Sequence, residues 1–192
     1  MSLADYPHFQ MIGQSVPVGE EAPDFTLPDI RTGEMVTLSE VLTDKPMVLI
    51  FGSWGCNVFC GQFSKLAMLE QAYRGRAEFL FVEVMDAPHE LPHELSAAYA
   101  AAGYHTRELR DTLPRAAFAA NVMGSPFRQL LDTVDGDACW KYKAFPERLV
   151  LIQGGKIIYD AGQGIHNYGS GWDMAEVRRF LDRALTRGTV PE

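Results

Sequence analysis

Apolar positions along this chain recur with two different periods. Met47 to Phe51 (MVLIF) is an unbroken apolar run of strand length, and Glu78 to Val84 (EFLFVEV) is nearly as apolar. Short runs of this kind predict strands buried on both faces. Between them the spacing changes. Phe59, Phe63, Leu66 and the stretch Leu69 to Ala72 fall on one face of a helix running from Cys56 to about Arg74. Upstream, Pro23–Leu27 and Glu34–Leu38 are short strand-like runs flanking the turn residues Asp29 to Gly33, which predicts a hairpin. Ser39 is placed to cap a helical turn over Glu40 to Leu42.

Downstream, residues 86–93 (DAPHELPH) form a proline-containing loop. Helical spacing follows over Leu95–Ala102 and Arg107–Ala120. Phe127 to Leu131 predicts a strand ending at Asp132, Asp135 to Asp137 a turn, and Ala138 to Ala144 a short helix. Arg148–Gln153 and Lys156–Tyr159 flank Gly154-Gly155 as a second hairpin, and Asp173 caps a closing amphipathic helix to Leu185. A strand–helix–strand unit requires a parallel, right-handed crossover, and the late hairpin adds antiparallel strands. The pattern therefore predicts an α/β fold: a mixed central sheet flanked by helices on both faces, with an N-terminal β-hairpin and a mid-chain β/α insertion. Residues 1–16 have no clear period and are expected to lie over the surface or along a second subunit. Residues 17–187 form the domain and 188–192 a tail.

Composition narrows the function classes. The chain has 192 residues, 47% hydrophobic and 22% charged, enough for one domain with a sizeable core. A net charge of −8 with no basic stripe disfavours nucleic acid and anionic membrane surfaces as partners. The longest apolar run, Met47 to Gly55, is too short to span a bilayer, and the N-terminal residues do not have a signal-peptide pattern. Three cysteines, Cys56, Cys60 and Cys139, do not make a disulfide scaffold and fit a cytoplasmic chain with reduced thiols.

The segment FGSWGCNVFC, Phe51 to Cys60, carries the candidate chemistry. A thiol at a strand-to-helix turn lies where backbone N–H groups and the helix dipole favour thiolate, the reactive form. Cys56 is thus a candidate nucleophile. Cys60 shares its helix face. Side chains at that spacing have Cβ atoms about 5–6 Å apart, whereas a disulfide wants about 3.5–4.5 Å. Cys60 can resolve an adduct on Cys56 only if the helix entrance departs from regular geometry. Ser53 is placed either to hydrogen-bond the thiolate or to satisfy the turn backbone. Trp54 either lines a hydrophobic pocket or packs. Arg148 opens a strand predicted beside the one leading to Cys56. It either holds the thiolate or an anionic substrate group, or pairs with Glu147 or Asp160. His89, His93 and His105 are candidate proton donors. Cys139 has no partner at readable spacing and is expected to be a bystander or part of the core.

Three blocks, PMVLIFGSWGCNVFC, LLDTVDG and FPERLVLIQGGKIIYDAGQG with Tyr168 and EVRRFL after it, resemble the iodothyronine deiodinase family. With their spacing they cover roughly residues 18–184. VGEEAPDFTLPDIRTGEMVTLSE is similar to the lead-in of peroxiredoxin-like redoxins. The resemblance implies a thioredoxin-like fold and an enzyme. It implies Cys56 at the position of the family selenocysteine, Ser53 at a family serine and Arg148 at the arginine that holds substrate. His89 is implied as the catalytic histidine, His105 as a second substrate-side histidine, and Pro146 as a proline after a cis bond facing the active-site turn. It implies a small-molecule substrate and an external thiol donor, such as a thioredoxin or low-molecular-weight thiol, with no bound cofactor and no metal. A homodimer is an assembly compatible with these features. The chain departs from the family pattern at Asn57-Val58, where a proline pair is usual, and at Asp86, which replaces an acid.

Two other readings share the same residues. Ser53 and Arg148 also resemble the hydroxyl and arginine of peroxiredoxins, in which Cys56 would form a sulfenic acid, although Leu49 stands where those carry proline. Cys-x-x-x-Cys with a distant histidine also resembles copper-binding redoxins, but Gly61 follows Cys60 where those carry proline.

Overall fold

The computed structural model describes residues 7–84, 113–133, 135–164 and 171–187. In chain order the elements are β1 (Thr26–Pro28), β2 (Met35–Thr37), α1 (Leu38–Val41), β3 (Met47–Gly52), α2 (Asn57–Tyr73) and β4 (Glu78–Glu83). They continue with α3 (Leu113–Val122), β5 (Arg128–Leu131), α4 (Asp137–Tyr142), β6 (Arg148–Gln153), β7 (Lys156–Gly162) and α5 (Met174–Arg187). Among the described residues the central sheet runs β5-β4-β3-β6-β7. β3 pairs parallel with β4 and antiparallel with β6, β5 lies parallel outside β4, and β7 lies antiparallel beyond β6. Every residue of β3 is buried, which is why its sequence is apolar at each position rather than alternating.

Strand alternation sorts the core into two layers. Val48, Ile50, Phe81, Leu149 and Leu151 face α2, α3 and α5. Leu49, Phe51, Leu80, Val82, Val150 and Ile152 face the β1–β2 hairpin, α1, α4 and the N-terminal segment. Helices thus cover both faces, and the two crossovers β3-α2-β4 and β4-α3-β5 lie on one face, as right-handed connections running the same way across a sheet must.

The elements differ from the sequence expectation where non-local bonds decide. α1 begins at Leu38 with Thr37 before it, and Ser39 does not cap it. Instead the Ser39 hydroxyl and N–H donate to the Asp24 carboxylate at 2.6 and 3.0 Å. α4 spans Asp137–Tyr142 because the Asp132 carboxylate accepts the N–H groups of Ala138 and Cys139 at 3.1 and 2.8 Å, capping the helix from outside it. α5 starts as predicted, with Asp173 Oδ1 accepting from the N–H groups of Ala175 and Glu176. α3 runs to Val122, and the helix predicted at 95–102 lies outside the described residues. Residues 7–16 are not a loose surface layer. Pro7–Met11 forms a 3-10 turn, and Met11 and Val16 are buried in the second core layer.

Candidate active site

The turn that carries Cys56 is built by close packing and two local hydrogen bonds. Gly52 ends β3 against the Phe59 ring, where an added Cβ would come within 2.3 Å of Cδ2, so only glycine fits. Ser53 Oγ accepts the Gly55 N–H at 3.0 Å, and Ser53 O accepts the Cys56 N–H at 2.9 Å. These bonds reverse the chain into α2. Cys56 is the N-cap, with extended backbone (φ −97°, ψ 112°) and no side-chain cap bond, and its carbonyl accepts the Cys60 N–H at 2.9 Å. The thiol stands at the positive end of a 17-residue helix, where first-turn N–H groups have no intrahelical partner.

Both cysteines are free thiols. Cys56 is 3% exposed and Cys60 half-buried, its S–H donating to Trp54 O at 3.5 Å. Because Cys56 is outside helical geometry, the regular i, i+4 spacing does not govern the pair. The Ser53 bond to Gly55 uses an oxygen lone pair and leaves the hydroxyl proton for a separate bond.

The remaining predicted residues separate. Trp54 is fully buried and packs edge-on against Phe59, Phe63 and Phe81 with centroids 5.1–5.5 Å away. It packs in the core behind the thiol, the second of the two alternatives stated for it. Its indole N–H has no hydrogen-bond partner among the described residues. Pro146 is buried and follows a cis Phe145–Pro146 bond, at the start of β6. Arg148 pairs with Phe51 in the β3–β6 ladder, but strand alternation sends its side chain through the face opposite Cys56. There the guanidinium is fully buried. It donates to both Asp160 carboxylate oxygens at 2.7 and 2.6 Å, to Lys143 O at 3.1 Å and to Gln14 O. Of the alternatives stated for Arg148, the structure shows the pairing with Asp160, with a further bond to the N-terminal segment. Cys139, on that same face, is fully buried beside Met11, and burial raises its thiol pKa, as expected of a core cysteine. His89 and His105 lie outside the described residues, as do His93 and Asp86.

Two buried polar clusters on the Cys56 face were not singled out from sequence. Glu83, level with Gly52 in the β3–β4 ladder, forms a buried ion pair with Arg115 of α3 at 3.8 Å and accepts from Gln129 Nε2 at 2.8 Å. A glutamate inside the apolar run EFLFVEV was its sequence signal. The second is Glu147, between the cis proline and Arg148. Its Oε1 accepts from Gln62 Nε2 of α2 at 3.1 Å, and Gln62 Oε1 accepts the Trp172 N–H at 2.7 Å. Burial raises the Glu147 carboxyl to about 7 despite the Gln62 bond.

Among the described residues no helix is long and apolar enough to cross a membrane. The comparisons agree with this architecture. The chain is 29% identical over 181 residues to thyroxine 5-deiodinase of Bos taurus, covering 86% of this chain and 53% of that protein. It is 30% identical over 154 residues to type I iodothyronine deiodinase of Xenopus laevis, covering 79% and 59%. The chain therefore spans a little over half the length of these relatives. The thioredoxin domain of a thiol-disulfide oxidoreductase from Bacteroides vulgatus superposes with a TM-score of 0.59 at 19% identity, over 87% of this chain and 99% of that one, which establishes the thioredoxin-like fold. The match to the family described as iodothyronine deiodinase runs over residues 8–185, from the buried N-terminal turn through the turn that carries Cys56 into α5, and the chain belongs to that family.

Proposed function

We propose that the protein is a thiol-dependent reductase of deiodinase type, removing iodine or a related halogen from an iodinated phenolic substrate. The observation that carries this reading is Cys56 as N-cap of α2 at the end of β3, within a family match that spans the whole fold. The Cys56 thiolate attacks the halogen. The carbon–halogen bond breaks, the ring carbon takes a proton, and a Cys56 sulfenyl halide forms. Cys60 thiolate then attacks Cys56 Sγ, releasing halide and forming the disulfide. Two equivalents of an external thiol reduce that disulfide through a mixed disulfide and are themselves oxidised to one disulfide. The balance is one aryl halide and two thiols converted to the dehalogenated ring, one disulfide, halide and a proton. In this reading Ser53 hydrogen-bonds the developing thiolate, His89 delivers the ring proton and His105 contacts the substrate. Trp54 supports the turn from behind.

The test is iodide release from thyroxine with dithiothreitol as reductant. The expected result is turnover that Cys56→Ala abolishes and that Cys60→Ser slows at low reductant and not at high. No iodide release by the folded wild-type protein would overturn the reading. Rapid Cys56 oxidation by hydrogen peroxide in its place would move the assignment to a thiol peroxidase.

A further inference from the structure

Glu147 is fully buried on the face of β6 that α2 covers. Oε1 is tied to Gln62, while Oε2 is buried with no hydrogen-bond partner among the described residues. Gln62 is held at its other end by the Trp172 N–H, so the carboxyl, α2 and the entry to α5 form one rigid link. Gly164 and Gly171 flank this link: a Cβ at Gly164 would lie 2.6 Å from Glu147 Oε1, and one at Gly171 1.9 Å from Gln62 Oε1. Both glycines are needed for backbone to close around the carboxyl. Gln62 is six residues beyond Cys56 on α2, about 9 Å of helix rise.

Among the described residues no cation neutralises Glu147. Gln62, Gly164, Gly171 and the Trp172 backbone are uncharged. Arg148, next in sequence, passes through the other face to Asp160. Lys65 of α2 and Asp173 at the head of α5 are exposed. Glu83 of β4 and Arg115 of α3 pair with each other. Tyr73 of α2 donates to Asp182 of α5, and Tyr159 of β7 to Glu176. Among the described residues, the titratable groups on this face at the entrance of α2 are the Cys56 and Cys60 thiols.

We propose that Glu147 is a positioning residue for the thiol chemistry: through Gln62 it fixes the first turns of α2, and the charge of its carboxyl is coupled to that of Cys56. This rests on the reading of Cys56 as the reacting thiol. A neutral carboxyl leaves the field of the helix N-terminus intact for the thiolate. An ionised one opposes it. The coupling is reciprocal, so consuming the thiolate in an adduct or disulfide makes Glu147 give up its proton more readily. That proton exchanges with solvent, and no bond is made to Glu147. The buried carboxyl, raised to about 7, titrates where such coupling has effect.

The test measures the rate of Cys56 alkylation by iodoacetamide against pH in Cys60→Ser protein, with and without the isosteric Glu147→Gln. The expected parent profile has two steps. Glu147→Gln should leave a single step with its half-point lower by roughly half to one pH unit. Superimposed profiles on a reactive Cys56 overturn the role of Glu147 alone. Labelling that persists at the parent rate in Cys56→Ser overturns the reading of Cys56, and this inference with it. A second measurement needs no substitution at Glu147: the carboxyl 13C titration of wild-type protein. Its midpoint should lie near neutrality and fall after Cys56 is alkylated. A midpoint in the ordinary carboxylate range, or one unmoved by alkylation, overturns the coupling.

Discussion

Single residues at this site are defined by what crowds them. Glu147 is ionisable but buried with no cation beside it among the described residues, and burial raises its folded-state pKa to about 7 from the ordinary 4.5. The folded state therefore binds this proton more tightly than the unfolded chain. The associated stability is fully present below pH 4.5 and is lost as pH rises to about 7. The size is at most about 3 kcal/mol. Urea midpoints for wild type are expected to fall across that window, and Glu147→Gln is expected to flatten the fall. An equal slope in both proteins would refute the assignment. Gly52 makes a steric case. Gly52→Ala places a methyl in the Phe59 ring, which stacks on Phe81 with centroids 4.9 Å apart. Overpacking of this kind costs about 1–3 kcal/mol. Because Phe59 lies in the first turn of α2, Cys56 alkylation is expected to change along with the thermal midpoint.

At the scale of elements, the decisive join is between β6, β7 and the N-terminal segment. Arg148 and Asp160 fix it. Asp160 Oδ2 also accepts the Val16 N–H at 3.1 Å, and Gln163 bridges Gly13, Met11, Lys143 and Phe145. Arg148→Met strands a nearly buried carboxylate and removes the guanidinium donor from Gln14 O, while Lys143 O keeps Gln163. Breaking one side of such a pair costs about 3–5 kcal/mol. The expected outcome is a matching loss in denaturation midpoint, with faster proteolysis near Gly13 and Gln14. Combining it with Asp160→Leu should recover part of the stability, since no charge is then left buried. If Arg148→Met lost activity at unchanged stability, the guanidinium would belong to the chemistry instead.

For the whole molecule, the N-terminal segment is part of the core. Met11 is fully buried and Val16 is 4% exposed, both packed in the layer below β3. Removing residues 2–16 re-exposes the surface they cover and deletes their own burial, about 1.5–3 kcal/mol for each of the two side chains. The truncated protein is expected to show a denaturation midpoint lower by an amount in that combined range. An unchanged midpoint would show the segment to be peripheral.

How far the sequence could be read follows from which interactions are local. The central strands were legible because burial on both faces demands continuous apolar runs, and α2 because one buried stripe must repeat at helical spacing. The position of Cys56 was legible for the same reason: a turn between such a strand and such a helix places its last residue at the N-cap. Ser39 and the start of α4 were misjudged because the groups that cap them come from elsewhere, Asp24 and Asp132. Asp160 was legible as a possible partner of Arg148, but the Gln14 bond of Arg148 and the Gln62 bond of Glu147 were beyond reach for a stronger version of that reason. Gln14 and Gln62 stand 134 and 85 residues away from them in the chain.

By itself, then, the sequence determined the strands, the turn that carries Cys56 and the family, because hydrophobic periodicity, glycine at a crowded turn and motif spacing are properties of short segments. Only the tertiary structure decided the direction in which each charged side chain left the sheet. Arg148 and Glu147 are adjacent residues at the start of β6. Alternation sends the guanidinium away from Cys56 to anchor the N-terminal segment, and the carboxyl toward α2, where burial, with no counter-charge among the described residues, holds its proton.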